Sequence, residues 1–157
     1  MQVYNLGFNV LRLPVHGQPP HQLDLAQMLG AERQQPINPT LQCQCLGVAV
    51  QVPSVLVPTQ GQVLFLHLTR NLAGQARRDL TPLARPPANH GEWPGLQARA
   101  VIAHTGNHYL AFINVRGVWW RADSVRAAPT QEDPWVHQGP LRGGLGGYTV
   151  DVVVMSQ

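Results

Sequence analysis

Residues 98–125, ARAVIAHTGNHYLAFINVRGVWWRADSV, decide the fold. Ala100–Ala103 is an apolar run that passes through His104-Thr105-Gly106-Asn107 into His108. Tyr109–Val115 then alternates in size and is apolar on both faces, the pattern of a strand inside a packed sheet. Arg116-Gly117 supplies the permissive residue of a tight turn, and Val118–Ala122 returns to Asp123. A two-residue turn here sets Val115 opposite Val118, so that facing positions sum to 233. His108 then faces Val125, with Asp123 as its diagonal neighbour on the same side. Diagonal neighbours lie about 7–8 Å apart at the backbone, within reach of an imidazole and a carboxylate. A slip of one residue would send Asp123 to the other face. The same register predicts that Tyr109, Ala111 and Ile113, on the opposing face, pack into the core.

A histidine held by a carboxylate is the base half of a thiol or hydroxyl protease. The acid fixes the tautomer and stabilises the imidazolium, while the imidazole takes the nucleophile's proton. The same spacing also suits a structural His–Asp hydrogen bond in a sheet, and spacing alone leaves both readings open.

The stretch resembles the histidine box of the ubiquitin-specific proteases, the papain-like deubiquitinases. The matching residues are His104-Thr105-Gly106, Asn107-His108-Tyr109, Trp119-Trp120-Arg121-Ala122-Asp123 and Ser124-Val125. The resemblance implies that His108 is the general base and Asp123 the residue that orients it. It places His104, Asn107 and Tyr109 against the substrate. Asn107 stands where the family usually has Gly, Ala122 where it has Phe, and the loop before His108 is short. VLFLHLTRN (63–71) is similar to the family's palm strand at His67-Leu68-Thr69-Arg70, and Tyr148–Met155 to its closing strand. The implied fold is mainly β (α+β), an antiparallel palm/fingers-like sheet of a papain-like cysteine protease with one short helix. The implied partner is ubiquitin or a ubiquitin-like protein. The family's cysteine box has no counterpart in these 157 residues, so the nucleophile is expected on a separate Cys-bearing chain or segment. The alternative is a catalytically inactive module of the same kind that binds ubiquitin or another protein.

The rest of the chain fits one domain, 1–157, of five to seven strands. Val3–Val15 reads as one or two strands ending near Pro14. Gln22–Leu29 reads as a short amphipathic helix that Gly30 stops. Leu41–Val52 and Val63–Leu68 are further strands. Asn71–Pro94 and Ala127–Gly147 read as irregular connections, and Tyr148–Met155 as the last strand.

Composition excludes several classes. At 44% hydrophobic residues the chain has enough apolar surface to bury a core. No apolar run approaches a membrane span and the first residues do not open a signal peptide, so a cytoplasmic or nuclear location without membrane contact is expected. The net charge of +3 comes from dispersed arginines with one doublet, Arg77-Arg78, which argues against nucleic acid. No cofactor is implied: Gly143–Gly147 is glycine-rich, but no Lys-Ser/Thr follows it. Nor is a metal, because Cys43 and Cys45 supply only two of the four ligands that a tetrahedral zinc site needs. All 11 basic residues are arginine and none is lysine. A codon-biased genome would produce this; so would selection to offer ubiquitin ligases no side-chain amine.

Overall fold

The computed structural model describes residues 10–15, 22–28, 63–70, 79–86, 96–106, 108–139 and 147–157. They form one seven-stranded mixed sheet: β1 (Val10–Pro14), β2 (Val63–Thr69), β3 (Gln97–Thr105), β4 (His108–Val115), β5 (Val118–Ala122), β6 (Thr130–Gln131) and β7 (Thr149–Ser156). The order across the sheet is β1-β2-β7-β3-β4-β5-β6. Every pairing is antiparallel except β1 with β2, which run parallel. The chain is therefore mainly β, and the expectation of a mixed but mainly antiparallel sheet of five to seven strands holds, with the one parallel pair at the β1 edge. Parallel neighbours need a crossover, and the connection from Pro14 to Val63 is long enough to make one.

β7, TVDVVVMS, has the nearly continuous apolar run of a strand flanked on both edges, and it lies third from the β1 end, between β2 and β3. Facing positions build the core as rows across the sheet. One row runs Leu11, Leu66, Val153, Val101, Phe112, Arg121 and Thr130, its apolar part ending at Phe112. Leu64, Leu68, Ala103, Leu110, Trp119 and Met155 extend the same buried cluster, and Leu23, Leu25, Leu83 and Leu96 join it from outside the sheet. Leu23 and Leu83 are tied by a parallel bridge, with the Leu23 amide donating to the Pro82 carbonyl and the Ala84 amide to that of Leu23, each at 2.7 Å. The side chain of Gln138 accepts from the Leu83 amide and donates to its carbonyl, both at 2.8 Å.

β4 buries the face opposite to the expected one. Leu110 and Phe112 are in the core, whereas Tyr109 is 62% and Ile113 47% exposed, and Ala111 is half-buried. An apolar residue at nearly every position of 109–113 left the sequence without a signal for which side is covered. The leucines of β2 and the valines of β3 and β7 decide it, because they stand in register with Leu110 and Phe112.

Two boundaries also differ. The helix starts at Leu25, not at Gln22, because Asp24 caps it: its Oδ1 accepts from the amides of Ala26 at 2.8 Å and Gln27 at 3.2 Å. The stretch 127–147 is not wholly irregular, since β6 pairs with β5. Leu41–Val52, Cys43, Cys45, Asn107, Arg77 and Arg78 lie outside the described residues, as do residues 3–9 of the first strand reading, Leu29 and Gly30 of the helix reading, and 143–146 of the glycine-rich loop. Among the described residues no helix is long and apolar enough to cross a membrane.

Candidate functional site

The site is set by two consecutive hairpins. In the first, Gly106 takes a left-handed φ of 55°, and the ladder closes on Thr105 facing His108. In the second, Arg116 and Gly117 have φ of 53° and 85°. Two positive values in succession mark the two-residue turn whose twist matches that of the flanking strands. Val115 therefore faces Val118 and Phe112 faces Arg121, the register in which facing numbers sum to 233.

The ladder ends at Ala111 facing Ala122, so Val125 does not face His108 as the extended register required. Residues 124–125 turn instead, and the carboxylate explains why: Oδ1 of Asp123 accepts the Val125 amide hydrogen at 3.1 Å, folding the chain back over it. His108 and Asp123 nevertheless meet. Nε2 of His108 lies 2.6 Å from Oδ1 of Asp123.

Asp123 is the best-connected side chain of the site. It is 2% exposed, and its second oxygen, Oδ2, accepts from Nη2 of Arg121 at 2.9 Å with Nε of Arg126 at 3.9 Å. The hydrogen bond from His108, then that from the Val125 amide, hold its carboxyl down at about 2 against the opposing effect of burial. An ionised carboxylate only accepts, so Nε2 of His108 carries the shared proton and Nδ1 is the free acceptor nitrogen. The His108 side chain is 34% exposed, which leaves its ring open to an incoming group.

Arg121 and Glu132 were not singled out from the sequence. Arg121 donates from Nη1 to Oε2 of Glu132 at 3.1 Å as well as to Asp123. Burial alone would loosen its proton, but the two carboxylates outweigh that and the net shift is upward. The pattern Arg-x-Asp at the end of a strand was the available signal, since i and i+2 share a face.

Of the other residues assigned to substrate contact, Tyr109 stacks at a tilt on His104, with centroids 5.3 Å apart. The two face each other across β3 and β4, on the side of the sheet opposite to Leu110 and Phe112. The structure thus joins His104 with Tyr109, and His108 with Asp123, as separate pairs. Beneath the site, Phe112 packs on Tyr148 with centroids 5.0 Å apart, and Trp119 meets Trp135 edge to face at 5.9 Å. Burial raises the Tyr148 hydroxyl well above the usual tyrosine value, and it donates to the Asp133 carbonyl at 3.1 Å.

No protein-family model matches the chain, and no curated protein matches it. The geometry therefore stands by itself. It offers a half-exposed imidazole with a defined tautomer, backed by a buried carboxylate that is ionised at neutral pH. Such a pair can accept a proton from an acidic nucleophile at Nδ1 and later return it.

Proposed function

We propose that His108 and Asp123 are the base half of a Cys-His-Asp triad in a thiol (iso)peptidase of the ubiquitin-specific protease kind, with the nucleophilic cysteine on another chain or segment. One observation carries this reading: Nε2–H of His108 donates to Oδ1 of Asp123 at 2.6 Å, which leaves Nδ1 as the acceptor on an accessible ring. In the reaction, Nδ1 accepts the cysteine proton and the thiolate attacks the carbonyl carbon of the ubiquitin C-terminus. The tetrahedral intermediate collapses as Nδ1 returns the proton to the departing amine. Water, deprotonated by the same nitrogen, then cleaves the thioester. Throughout, Asp123 keeps the imidazole oriented and balances its charge when it is protonated. Two strands that carry the resemblance are neighbours: β2, which ends in His67-Leu68-Thr69, lies beside the closing strand β7, and β7 lies beside β3 of the histidine hairpin.

A second reading rests on a different observation. Asp123 is also held by Arg121 and the Val125 amide, and a carboxylate so fully engaged serves equally well as a purely structural pin. On that reading the domain binds ubiquitin, or another protein, without cleaving it.

Hydrolysis of a ubiquitin–coumarin conjugate separates the two. The chain alone should be inactive, for want of the thiolate. Co-expressed with a cysteine-box segment it should cleave, and His108→Ala should abolish cleavage while ubiquitin binding, read by calorimetry, persists. Binding without cleavage in the combined sample supports the second reading. Absence of ubiquitin binding in both samples overturns the first reading and leaves, of the second, only a partner other than ubiquitin.

A further inference from the structure

We propose that Arg121 is the positioning residue of the His108–Asp123 pair, acting through a guanidinium fork anchored on Glu132. An aspartate carboxyl is weakly restrained about its last torsion, which is broad and roughly two-fold. Aiming one oxygen at an imidazole therefore needs donors on both sides of the carboxylate. Here Oδ1 accepts from His108 at 2.6 Å and from the Val125 amide at 3.1 Å, while Oδ2 accepts from Nη2 of Arg121 at 2.9 Å. Arg121 is in turn fixed from its other side, where Nη1 donates to Oε2 of Glu132 at 3.1 Å.

The topology makes this a strap across three strands. Arg121 faces Phe112 on β4 and Thr130 on β6. Glu132 is its diagonal neighbour just past β6, where its amide donates to the Trp119 carbonyl at 3.1 Å. The fork thus closes the ends of the 123–129 loop, on which Asp123 sits first. Only a planar guanidinium can grip two carboxylates in this way; an ammonium makes a point contact.

The arrangement is not one built for stability alone. Nε of Arg121 is buried without a hydrogen-bond partner, and an orphaned donor of that kind is destabilising. An apolar side chain of similar volume, continuing the row from Phe112, would avoid that cost. Its shortcoming would be that it leaves Oδ2 of Asp123 unheld. The consequence for catalysis rests on the reading of His108 as a base, but the positioning itself does not, and the two can fail separately.

The test is the Nε2-bound proton of His108 in the NMR spectrum of the isolated chain. Held by a buried carboxylate, that proton should be visible downfield and protected from solvent exchange. In Arg121→Gln its exchange should accelerate at least tenfold or the resonance should vanish, with the backbone amide spectrum retained. Arg121→Lys should restore protection only in part, and Glu132→Gln should produce a smaller loss in the same direction. If Arg121→Gln does not fold, the Lys and Glu132 variants read the same proton. Unchanged exchange in the folded variants overturns the proposal. Ubiquitin binding and cleavage do not enter this measurement, so it stands or falls apart from the proposed function.

Discussion

The side-chain oxygen of Asn114 accepts the amide hydrogen of Gly117 at 2.8 Å, tying the last turn of β4 to the first position after Arg116. This contact stabilises the conformation that sets the β4–β5 register. The register in turn decides whether His108 and Asp123 share a face. A local turn preference is thereby linked to the chemistry at the far end of the hairpin.

Gly117→Ala should destabilise the protein by about 1–2 kcal/mol, the cost of placing a Cβ in the left-handed region. Nothing lies within 4 Å of such a Cβ, so the loss would come from the backbone alone. Arg116→Gly should change stability little or raise it slightly, since Arg116 already bears that strain at φ 53° while glycine loses more chain entropy. Urea denaturation of both variants checks the pair. Equal losses in the two would show that side-chain contacts, not φ, control the turn.

The buried side of β4 has its own test. Phe112→Ala should cost about 3–5 kcal/mol, as it empties a fully buried site against Tyr148. Ile113→Ala, one residue on but facing out, should cost under about 1 kcal/mol. Melting temperatures of the two would have to fall in that order; the reverse order would put the core on the other face.

The register was legible because it depends on one local feature, the Arg116-Gly117 turn, and on counting from it. The count held from Val115–Val118 to Ala111–Ala122; His108 and Asp123 meet just beyond the end of that ladder, where 124–125 turn away from the counted register. The covered side of β4 was not legible, because a strand apolar at 109–113 on both faces is decided by distant partners such as Leu66, Val101 and Val153. Nor was β6: two residues, Thr130-Gln131, carry no periodicity, and they pair only because β5 presents an edge to them. Arg121 and Glu132 escaped notice for the same reason, since their meeting requires that short pairing.

The absence of lysine yields a prediction about turnover. Arg12 and Arg116 are exposed, on β1 and in the β4–β5 turn. Arg12→Lys and Arg116→Lys should leave the melting temperature nearly unchanged, as surface changes stay within about 0.5 kcal/mol. If a lysine-free surface protects the chain from ubiquitination, the double variant should have a shorter cellular half-life, restored by proteasome inhibition. An unchanged half-life would leave codon usage as the explanation.

The acid limb of the stability profile should report on Asp123. Its folded carboxyl is held down at about 2 from an ordinary value of 3.8, by the His108 hydrogen bond first and the Val125 amide second. The folded state thus binds this proton more weakly than the unfolded chain does. As the pH falls below about 4 the unfolded state takes up the proton first, which favours unfolding. The contribution is fully present above the unfolded value and is lost by the time the pH reaches about 2. Asp123→Asn cannot titrate, so the gap in unfolding free energy between wild type and this variant should narrow steadily across that window and stay constant from about pH 5 to 6. Urea denaturation in steps of half a pH unit measures it. A gap that does not change between about pH 4 and 2 would mean that the carboxylate is not held by the imidazole in solution. The base reading of His108 would then lose its support.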